Sequence, residues 1–353
     1  LLLMLRNVNA LTDSRPANWL KQQLLALIAL AQRYPWVIAL YGFVSGAAGF
    51  ILVDRQDSLA AVIAILMLVS WLFLVLESAF NQSLARWFGI ELPDWVMRFV
   101  TQMIHQQSLF FVLPFFVIST TWNSGQLVFT SLLCGAALLS IIDPLYYNWL
   151  PPRRWLYLTF HSLTLFATML TAMPIILHLT TAQSYQLALL ITVLLAFPTL
   201  AGSLKVEGKW GWLAVPLLSA VLPGAGWLAK PWIPPATLRL NQVAISLQLN
   251  DQARAPSKSL KQLTPAQMRR NGLYAFTNIS APRGLSEQIY HVWRHNGVEI
   301  DRIPLDIQGG SDKGYRAWSH KQNFPSNSVG DWRVEVLTDG GQQIGMLRFA
   351  VKP

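Results

Sequence analysis

The chain has 353 residues, of which 53% are hydrophobic and only 12% are charged, whereas a soluble domain ordinarily carries about 25% charged residues. The formal net charge of +10 comes without a long basic run, which argues against a nucleic-acid partner. The single cysteine, Cys134, excludes a disulfide framework and a cysteine-based metal site. We therefore expect a membrane protein that carries no metal and no other cofactor.

Residues 1–35 are predicted to form a cytoplasmic, amphipathic arm. A helix over residues 17–33 would place Trp19, Leu20, Leu24 and Leu27 on one stripe. A stripe of this kind favours a helix that lies on a membrane surface.

Residues 36–230 are predicted to form a helical transmembrane domain, because a membrane span needs about 20 mostly apolar residues. Seven segments qualify, at residues 36–53, 59–80, 108–122, 127–149, 155–179, 185–204 and 210–229. The third segment is the shortest. It either extends back through Gln106 and His105 or enters the membrane without crossing it. Residues 84–103 mix charged and apolar residues, which is typical of an interfacial helix.

The distribution of Lys and Arg between alternate loops predicts the orientation, since cytoplasmic loops retain positive charge. One set of loops carries Arg6, Arg15, Lys21, Arg33, Arg86, Arg98, Arg153, Arg154, Lys205 and Lys209, and the other carries only Arg55. We therefore expect the protein in the inner membrane of a Gram-negative bacterium. Its N-terminus would lie in the cytoplasm and its C-terminal domain in the periplasm.

Small residues in the first segment suggest helix packing. Gly42, Gly46 and Gly49 lie on one helix face, which would let another helix approach closely. The partner helix belongs either to the same chain or to a second copy in a homo-oligomer.

Three ionisable residues fall inside the predicted spans, where an ionised side chain is costly. Glu77, Asp143 and His161 are expected at a similar depth near the cytoplasmic side, within reach of Arg153 and Arg154. They either form one functional polar cluster, or each is paired separately near the headgroups, as charges at helix ends commonly are.

Residues 231–353 are predicted to form a separate all-β domain. Residues 231–235, PWIPP, make a stiff exit from the last span, and a strand over residues 238–247 follows. Thr264 and Pro265 open a short helix. Further strands are predicted at residues 272–279, 287–295, 299–307, 315–321, 332–338 and 343–351. Asn296-Gly297 and Asp339-Gly340 are strong hairpin turns. Short strands at this spacing indicate an immunoglobulin-like sandwich.

Four ordered motifs lie in this domain: IYHVWRHNG at residues 289–297, YRAWSHK at 315–321, GDWRVEV at 330–336 and IGMLRFAV at 344–351. Together they resemble the bacterial domain of unknown function 2914, over about the last 90 residues. The resemblance implies a domain that follows a multi-span membrane region, and it implies no activity.

Aromatic and basic residues of the β-domain are the candidate binding residues. Trp318, Tyr315, Arg316, Lys321 and Arg294 combine rings with cations, which suits acidic sugars or an acidic protein face. Two other tryptophans, Trp293 and Trp332, are expected in the core.

A zinc site in the β-domain is disfavoured by strand geometry. His291 and His295 on one strand would lie about 13 Å apart. Zinc would need both nitrogens at about 2 Å.

Two functions remain open from the sequence. The first is a non-enzymatic scaffold or accessory protein, anchored in the lipid bilayer, whose β-sandwich binds a periplasmic or membrane protein or an anionic envelope polymer. The second is a transporter or intramembrane enzyme in which Glu77, Asp143 and His161 do the work. The sequence has no nucleophile elbow and no phosphate-binding loop, so an enzyme is the less favoured class.

Overall fold

The computed structural model describes residues 33, 34, 40, 44, 48, 57–88, 94–203, 211–250, 255–309 and 314–353. Helices fill its N-terminal part, and two β-sheets fill its C-terminal part. Most of the predicted arm, most of the first predicted span, and Gly42, Gly46 and Gly49 lie outside the described residues.

The helical domain contains seven of the α-helices that the described residues form. They are α1 (Asp57–Val75), α2 (Glu77–Phe88), α3 (Asp94–Ser119), α4 (Gln126–Ile141), α5 (Arg154–Leu177), α6 (Thr181–Ser203) and α7 (Gly211–Ala229). A π-helical turn, Pro144–Trp149, follows α4, and a 3₁₀ turn, Lys230–Trp232, follows α7. The turn after α4 begins at Pro144, which has no N–H to continue an α-helix.

Helix α5 lies at the centre of the helical domain and packs against α1, α3, α4 and α6. Every residue from Thr164 to Ile175 is buried. A helix that is apolar on all sides must be covered on all sides, either by protein or by lipid. Its neighbours supply protein cover, and they form one continuous core with it.

The prediction of a polytopic domain with about seven spans is wrong. Among the described residues, only Arg154–Leu177 is a helix long and apolar enough to cross a membrane, and 72% of its most apolar window is buried by the protein itself. Three further apolar stretches are shorter, at residues 61–75, 126–141 and 181–196. Apolar composition identified these segments, but composition does not reveal whether lipid or protein covers a helix.

Two predicted segments show how the error arose. The fourth joined the short helix α4 to the π-helical turn behind it. The third is the second half of α3, which begins at Asp94. The predicted interfacial helix at residues 84–103 is likewise divided between α2 and α3.

The β-sheet region that the sequence predicted is present. Its elements are β1 (Arg239–Ser246), β2 (Leu249–Asn250), β3 (Ala255–Pro256), β4 (Gln262–Leu263), α8 (Pro265–Asn271), β5 (Leu273–Ser280), β6 (Ser286–His295), β7 (Val298–Gln308), β8 (Tyr315–Lys321), β9 (Gly330–Thr338) and β10 (Gln343–Val351). One sheet has the order β1-β5-β8 and the other β4-β10-β9-β6-β7. Residues from both sheets share one core, as in an immunoglobulin-like sandwich.

Local sequence explains two of the connections. Asn296 and Gly297 both adopt positive φ, at 47° and 87°, which is the requirement of the tight turn that joins β6 to β7. Helix α8 begins with a capping box, in which Thr264 and Gln267 each bond the other's backbone N–H.

Candidate functional site

A cluster of buried polar and aromatic side chains lies inside the helical domain. His105 of α3 is completely buried. Its Nδ1 lies 2.7 Å from the Tyr146 hydroxyl, and its Nε2 lies 3.0 Å from Nδ1 of His161. Trp71 of α1 packs against both imidazoles, with ring centroids 5.5 and 4.9 Å away. Helices α1, α3 and α5 and the π-helical turn therefore each contribute one side chain.

The three-residue chain of Tyr146, His105 and His161 has a defined chemical capacity. A neutral imidazole has one N–H, so its two nitrogens act as one donor and one acceptor. If Tyr146 donates to His105, then His105 donates to His161; the opposite polarity reverses both bonds. Reversal of this chain moves protons between its ends. The arrangement can therefore pass a proton between Tyr146 and His161 through His105.

A second group of hydrogen bonds lies next to this chain. The Gln102 amide donates to the Asp143 carboxylate at 2.8 Å and to the Ser140 carbonyl at 3.0 Å. Tyr147 donates to the Gln102 carbonyl oxygen. Because Gln102 and His105 are three residues apart on α3, they face the same side of the helix.

The structure distributes the three predicted polar residues unequally. His161 belongs to the histidine chain, and Asp143 belongs to the neighbouring Gln102 group. Glu77 is the first residue of α2. Its carboxylate interacts electrostatically with Tyr157, whose ring stacks on the His161 ring with the two centroids 6.2 Å apart. Arg153 turns away to the Trp149 ring and carbonyl. Sequence reasoning missed Gln102 and Tyr146, and it used His105 only as a possible extension of a span.

No group of three or more His, Cys, Asp or Glu side chains placed to hold a metal ion occurs in the part of the chain that the structure describes. The two histidines of the buried chain supply two nitrogens. Structural zinc sites use four protein ligands and catalytic ones three.

The predicted binding residues of the sandwich lie in different surroundings. Lys321 is buried, with 4% of its side chain exposed, and it pairs with Asp301 at 2.7 Å. Arg294 pairs with Glu299 at 3.1 Å and with Glu335 at 3.0 Å. Carboxylates therefore already neutralise these two cations.

The other three predicted residues lie on strand β8. Arg316 is exposed, Trp318 is half-buried, and Tyr315 packs against the sandwich core. Trp318 is paired across the sheet with Phe276, which is completely buried. Trp293 and Trp332, expected in the core, are 0% and 1% exposed.

One serine–histidine pair resembles a catalytic arrangement in its distances only. Nδ1 of His291 lies 2.9 Å from the Ser319 hydroxyl, and Nε2 lies 3.2 Å from Thr277. His291 is 0% and Ser319 is 2% exposed, so no substrate reaches either side chain. Burial lowers the pKa of His291 to about 3, far below the value that suits a general base at neutral pH. The pair is therefore structural.

A basic surface that sequence reasoning missed lies around strand β4 and helix α8. We call it the β4–α8 surface. Its exposed cations are Lys258, Lys261, Arg269, Arg270 and Lys352. The Lys261 carbonyl accepts from Ala350, and the Leu263 carbonyl accepts from Lys352, which fixes β4 beside the end of β10. Residues 255–272 contain no Asp or Glu. This lack of acidic residues was the sequence signal that could have revealed the basic surface.

The sandwich is docked on one end of the helical domain through buried polar contacts. Glu287 of β6 accepts hydrogen bonds from the Thr181 backbone N–H at 2.7 Å and from the Thr181 hydroxyl at 2.8 Å. Thr181 is the first residue of α6, so this carboxylate satisfies a helix N-terminus from another domain. Gln126 donates to the Gln343 carbonyl at 2.8 Å.

Burial has the largest effect on the pKa values of Glu287 and Lys230, which lie where the sandwich meets the helical domain. It raises the pKa of Glu287, against a smaller lowering by the Thr181 hydrogen bonds, and nearby Asp339 raises the pKa further. Burial also lowers the pKa of Lys230, which Asp339 and Glu287 partly oppose.

Comparison with known families places the chain among proteins without an assigned activity. A family of unknown function, DUF5924, matches residues 17–275. The chain belongs to this family. The resemblance of the C-terminal motifs is also confirmed, since the protein of unknown function DUF2914 matches residues 286–351. No curated protein and no solved structure matches the chain.

The two family matches divide the sandwich between them. Strand β1 and only the first three residues of β5 fall in the DUF5924 match, whereas β6 to β10 fall in the DUF2914 match. Strand β5 pairs with both β1 and β8. In this member of the family, one three-stranded sheet therefore needs residues from both regions.

Proposed function

We propose that the protein is a non-enzymatic module held at the bacterial inner membrane, where its helical domain contacts lipid and its sandwich binds an anionic partner in the periplasm. The observation that carries the membrane contact is the exposed apolar surface of the helices. Side chains of α1, α4, α6 and α7 are exposed there, including Leu72, Leu138, Leu194, Leu217 and Leu228. The described part of α1 beyond Asp57, and all of α4, α6 and α7, contain no charged residue.

This exposed surface is unusual for a protein that is surrounded by water. Leu228 is 80% exposed and Leu217 is 64% exposed. Soluble monomers seldom expose contiguous apolar patches larger than a few hundred Å². Contact with lipid removes this apolar area from water and thereby stabilises the observed fold.

Aromatic and basic residues at the two ends of α5 support an orientation. Trp155 is 66% exposed near Arg153 and Arg154, and Trp122 and Trp232 are exposed near the sandwich. Helix α5 has 24 residues and is therefore roughly 36 Å long, compared with about 30 Å for the hydrocarbon layer. Tryptophan favours both interfaces and Arg favours the cytoplasmic one, which supports a periplasmic position for the sandwich.

A phosphatase reporter tests this orientation, because the enzyme is active only in the periplasm. We expect activity from a fusion after Ala229 and none from a fusion after Arg154. Each fusion is compared with the same junction carrying a reporter that is active only in the cytoplasm. The reverse pattern would contradict the proposed orientation.

The β4–α8 surface is the part of the sandwich that best fits an anionic partner. Its cations are exposed, whereas Lys321 and Arg294 are paired with carboxylates. Exposed cations attract polyanions over a distance that salt limits to about 8 Å at physiological ionic strength. An anionic envelope polymer or an acidic protein face is the matching class of partner.

Binding of fluorescent dextran sulfate to the full chain in detergent measures this attraction. We expect the Kd to rise with salt, and the double variant Lys261→Gln/Arg270→Gln to raise the Kd roughly tenfold at low salt. Arg302→Gln is the matched control, since Arg302 is exposed but already paired with Glu299. Unlabelled neutral dextran should not compete. Binding that is insensitive to salt and to the double variant would disprove the anionic-partner proposal.

A further inference from the structure

We propose that a groove along α5, α6 and α7 binds one acyl chain of an anionic phospholipid whose headgroup lies at Arg154. This inference rests on the proposed membrane contact and adds a specific lipid site to it. The groove has a volume of about 300 Å³ and lies open along one side of the helical domain.

The lining of the groove changes character along its length. Leu163 and Phe166 of α5, Leu189 of α6 and Leu222 of α7 line the part nearer the sandwich. The hydroxyl residues Thr159, Ser162 and Thr192 line the opposite part, together with Leu158 and Ala196. From Leu158 to Phe166 the groove follows α5 for about 12 Å. An amphiphile with its polar end at Thr192 and its chain directed toward the sandwich matches this lining.

Thr192 lines the groove and has an unsatisfied hydroxyl. The residue is 9% exposed, and its hydroxyl has no hydrogen-bond partner among the described residues. By contrast, the hydroxyls of Thr164, Thr168 and Thr171 on α5 each donate to the carbonyl four residues earlier. A buried hydroxyl without a partner costs free energy. Because Thr192 lines the groove, a rotation of its side chain would let the hydroxyl donate to an ester carbonyl of a bound lipid.

Charge at the polar end selects an anionic headgroup. Arg154 is exposed and lies four residues before Leu158, so both are on the same face of α5. The adjacent Arg153 is occupied with the Trp149 ring at 4.6 Å and with the Trp149 carbonyl. Trp155, 66% exposed, marks the same level as an interface, where a phosphate group would lie.

The lining of the groove favours an acyl chain. Most of the residues that form it are apolar, and they belong to helices that carry the exposed apolar surface. Exposed Leu190 and Leu194 of α6 and Val221 of α7 flank the groove, so it is continuous with the surface that we assign to lipid.

Native mass spectrometry of the full chain tests the site after delipidation and addition of phosphatidylglycerol or phosphatidylcholine. We expect phosphatidylglycerol to bind more tightly. Ala196→Trp, which fills the groove, should weaken both lipids about tenfold, and Thr192→Val should weaken both to a smaller extent. Arg154→Gln should abolish the preference for phosphatidylglycerol, whereas the matched control Arg153→Gln should retain it.

Two results would overturn the lipid site: equal binding of both lipids by the unaltered chain, or unchanged binding by Thr192→Val together with, where it folds, Ala196→Trp. Thr192→Val is nearly isosteric, so it keeps the test valid even where Ala196→Trp fails to fold. A different result would contradict the membrane proposal: recovery of the unaltered chain in the soluble fraction of cells lysed without detergent.

Discussion

Trp293→Ala is expected to lower the free energy of unfolding of the sandwich by about 3–5 kcal/mol, the usual cost of truncating a large buried aromatic residue. Trp293 is 0% exposed, and Phe324 and Phe349 pack against it edge to face with centroids 6.3 Å away. Its indole N–H donates to Ser319 at 3.3 Å. Since domains are typically stable by about 5–15 kcal/mol, this single change removes much of the stability. Urea unfolding of the full chain, followed by near-UV circular dichroism, measures it.

Trp318→Ala is the matched control for this experiment. Trp318 is half-buried on the outer face of the three-stranded sheet, so we expect its loss to cost less than about 2 kcal/mol. A Trp318 variant that unfolds as readily as the Trp293 variant would return Trp318 to a core role. A folded variant with weaker dextran sulfate binding would make it a contact residue.

Glu287→Ala is expected to loosen the sandwich from the helical domain by about 3 kcal/mol, because it removes two hydrogen bonds to a buried carboxylate. The Thr181 N–H would then lack its acceptor. Hydrogen exchange of the Thr181 amide should become faster, while exchange at the centre of α5 stays slow. Unchanged protection of Thr181 would show that Glu287 does not hold the two domains together.

The same contact should depend on pH. Burial raises the pKa of Glu287 above its ordinary value of 4.5, so the docked state holds a proton more tightly than the undocked state does. Docking stability is then fully present below about pH 4.5 and falls as the pH rises through the raised pKa. A Gln side chain does not titrate, so the thermal unfolding midpoint of the Glu287→Gln variant should not change with pH across this range. A midpoint that falls equally in both proteins would assign the pH dependence to another group.

The strands of the sandwich follow from local sequence to a large extent. The predicted strand at residues 287–295 is observed as Ser286–His295, and that at 343–351 as Gln343–Val351. Alternation with a period of two residues predicts which side chains face the core. The Asn296-Gly297 pair fixes a turn because both residues accept positive φ. Such features depend on a residue and its near neighbours, so one sequence suffices to find them.

The candidate sites were only partly predictable. His161 and Asp143 were noticed because a polar residue stands out in an apolar run, but their partners are distant in sequence. His105 and His161 are 56 residues apart, and Gln102 and Asp143 are 41 apart. Likewise, Lys321 looked available for binding until the fold brought Asp301 to it from another strand. No spacing rule connects such pairs, because the packing of whole elements determines the contact.

The sequence alone thus determined the division into an apolar N-terminal part and a β-sheet C-terminal part, the main strands and turns, and the start of α8 at Thr264 and Pro265. Only the tertiary structure decided that α5 is mostly covered by its neighbours, that Lys321 and Arg294 are neutralised, and that Glu287 caps α6. The physical reason is the same in each case. Periodicity and turn chemistry act within a few residues, whereas burial and pairing depend on which distant surfaces pack together.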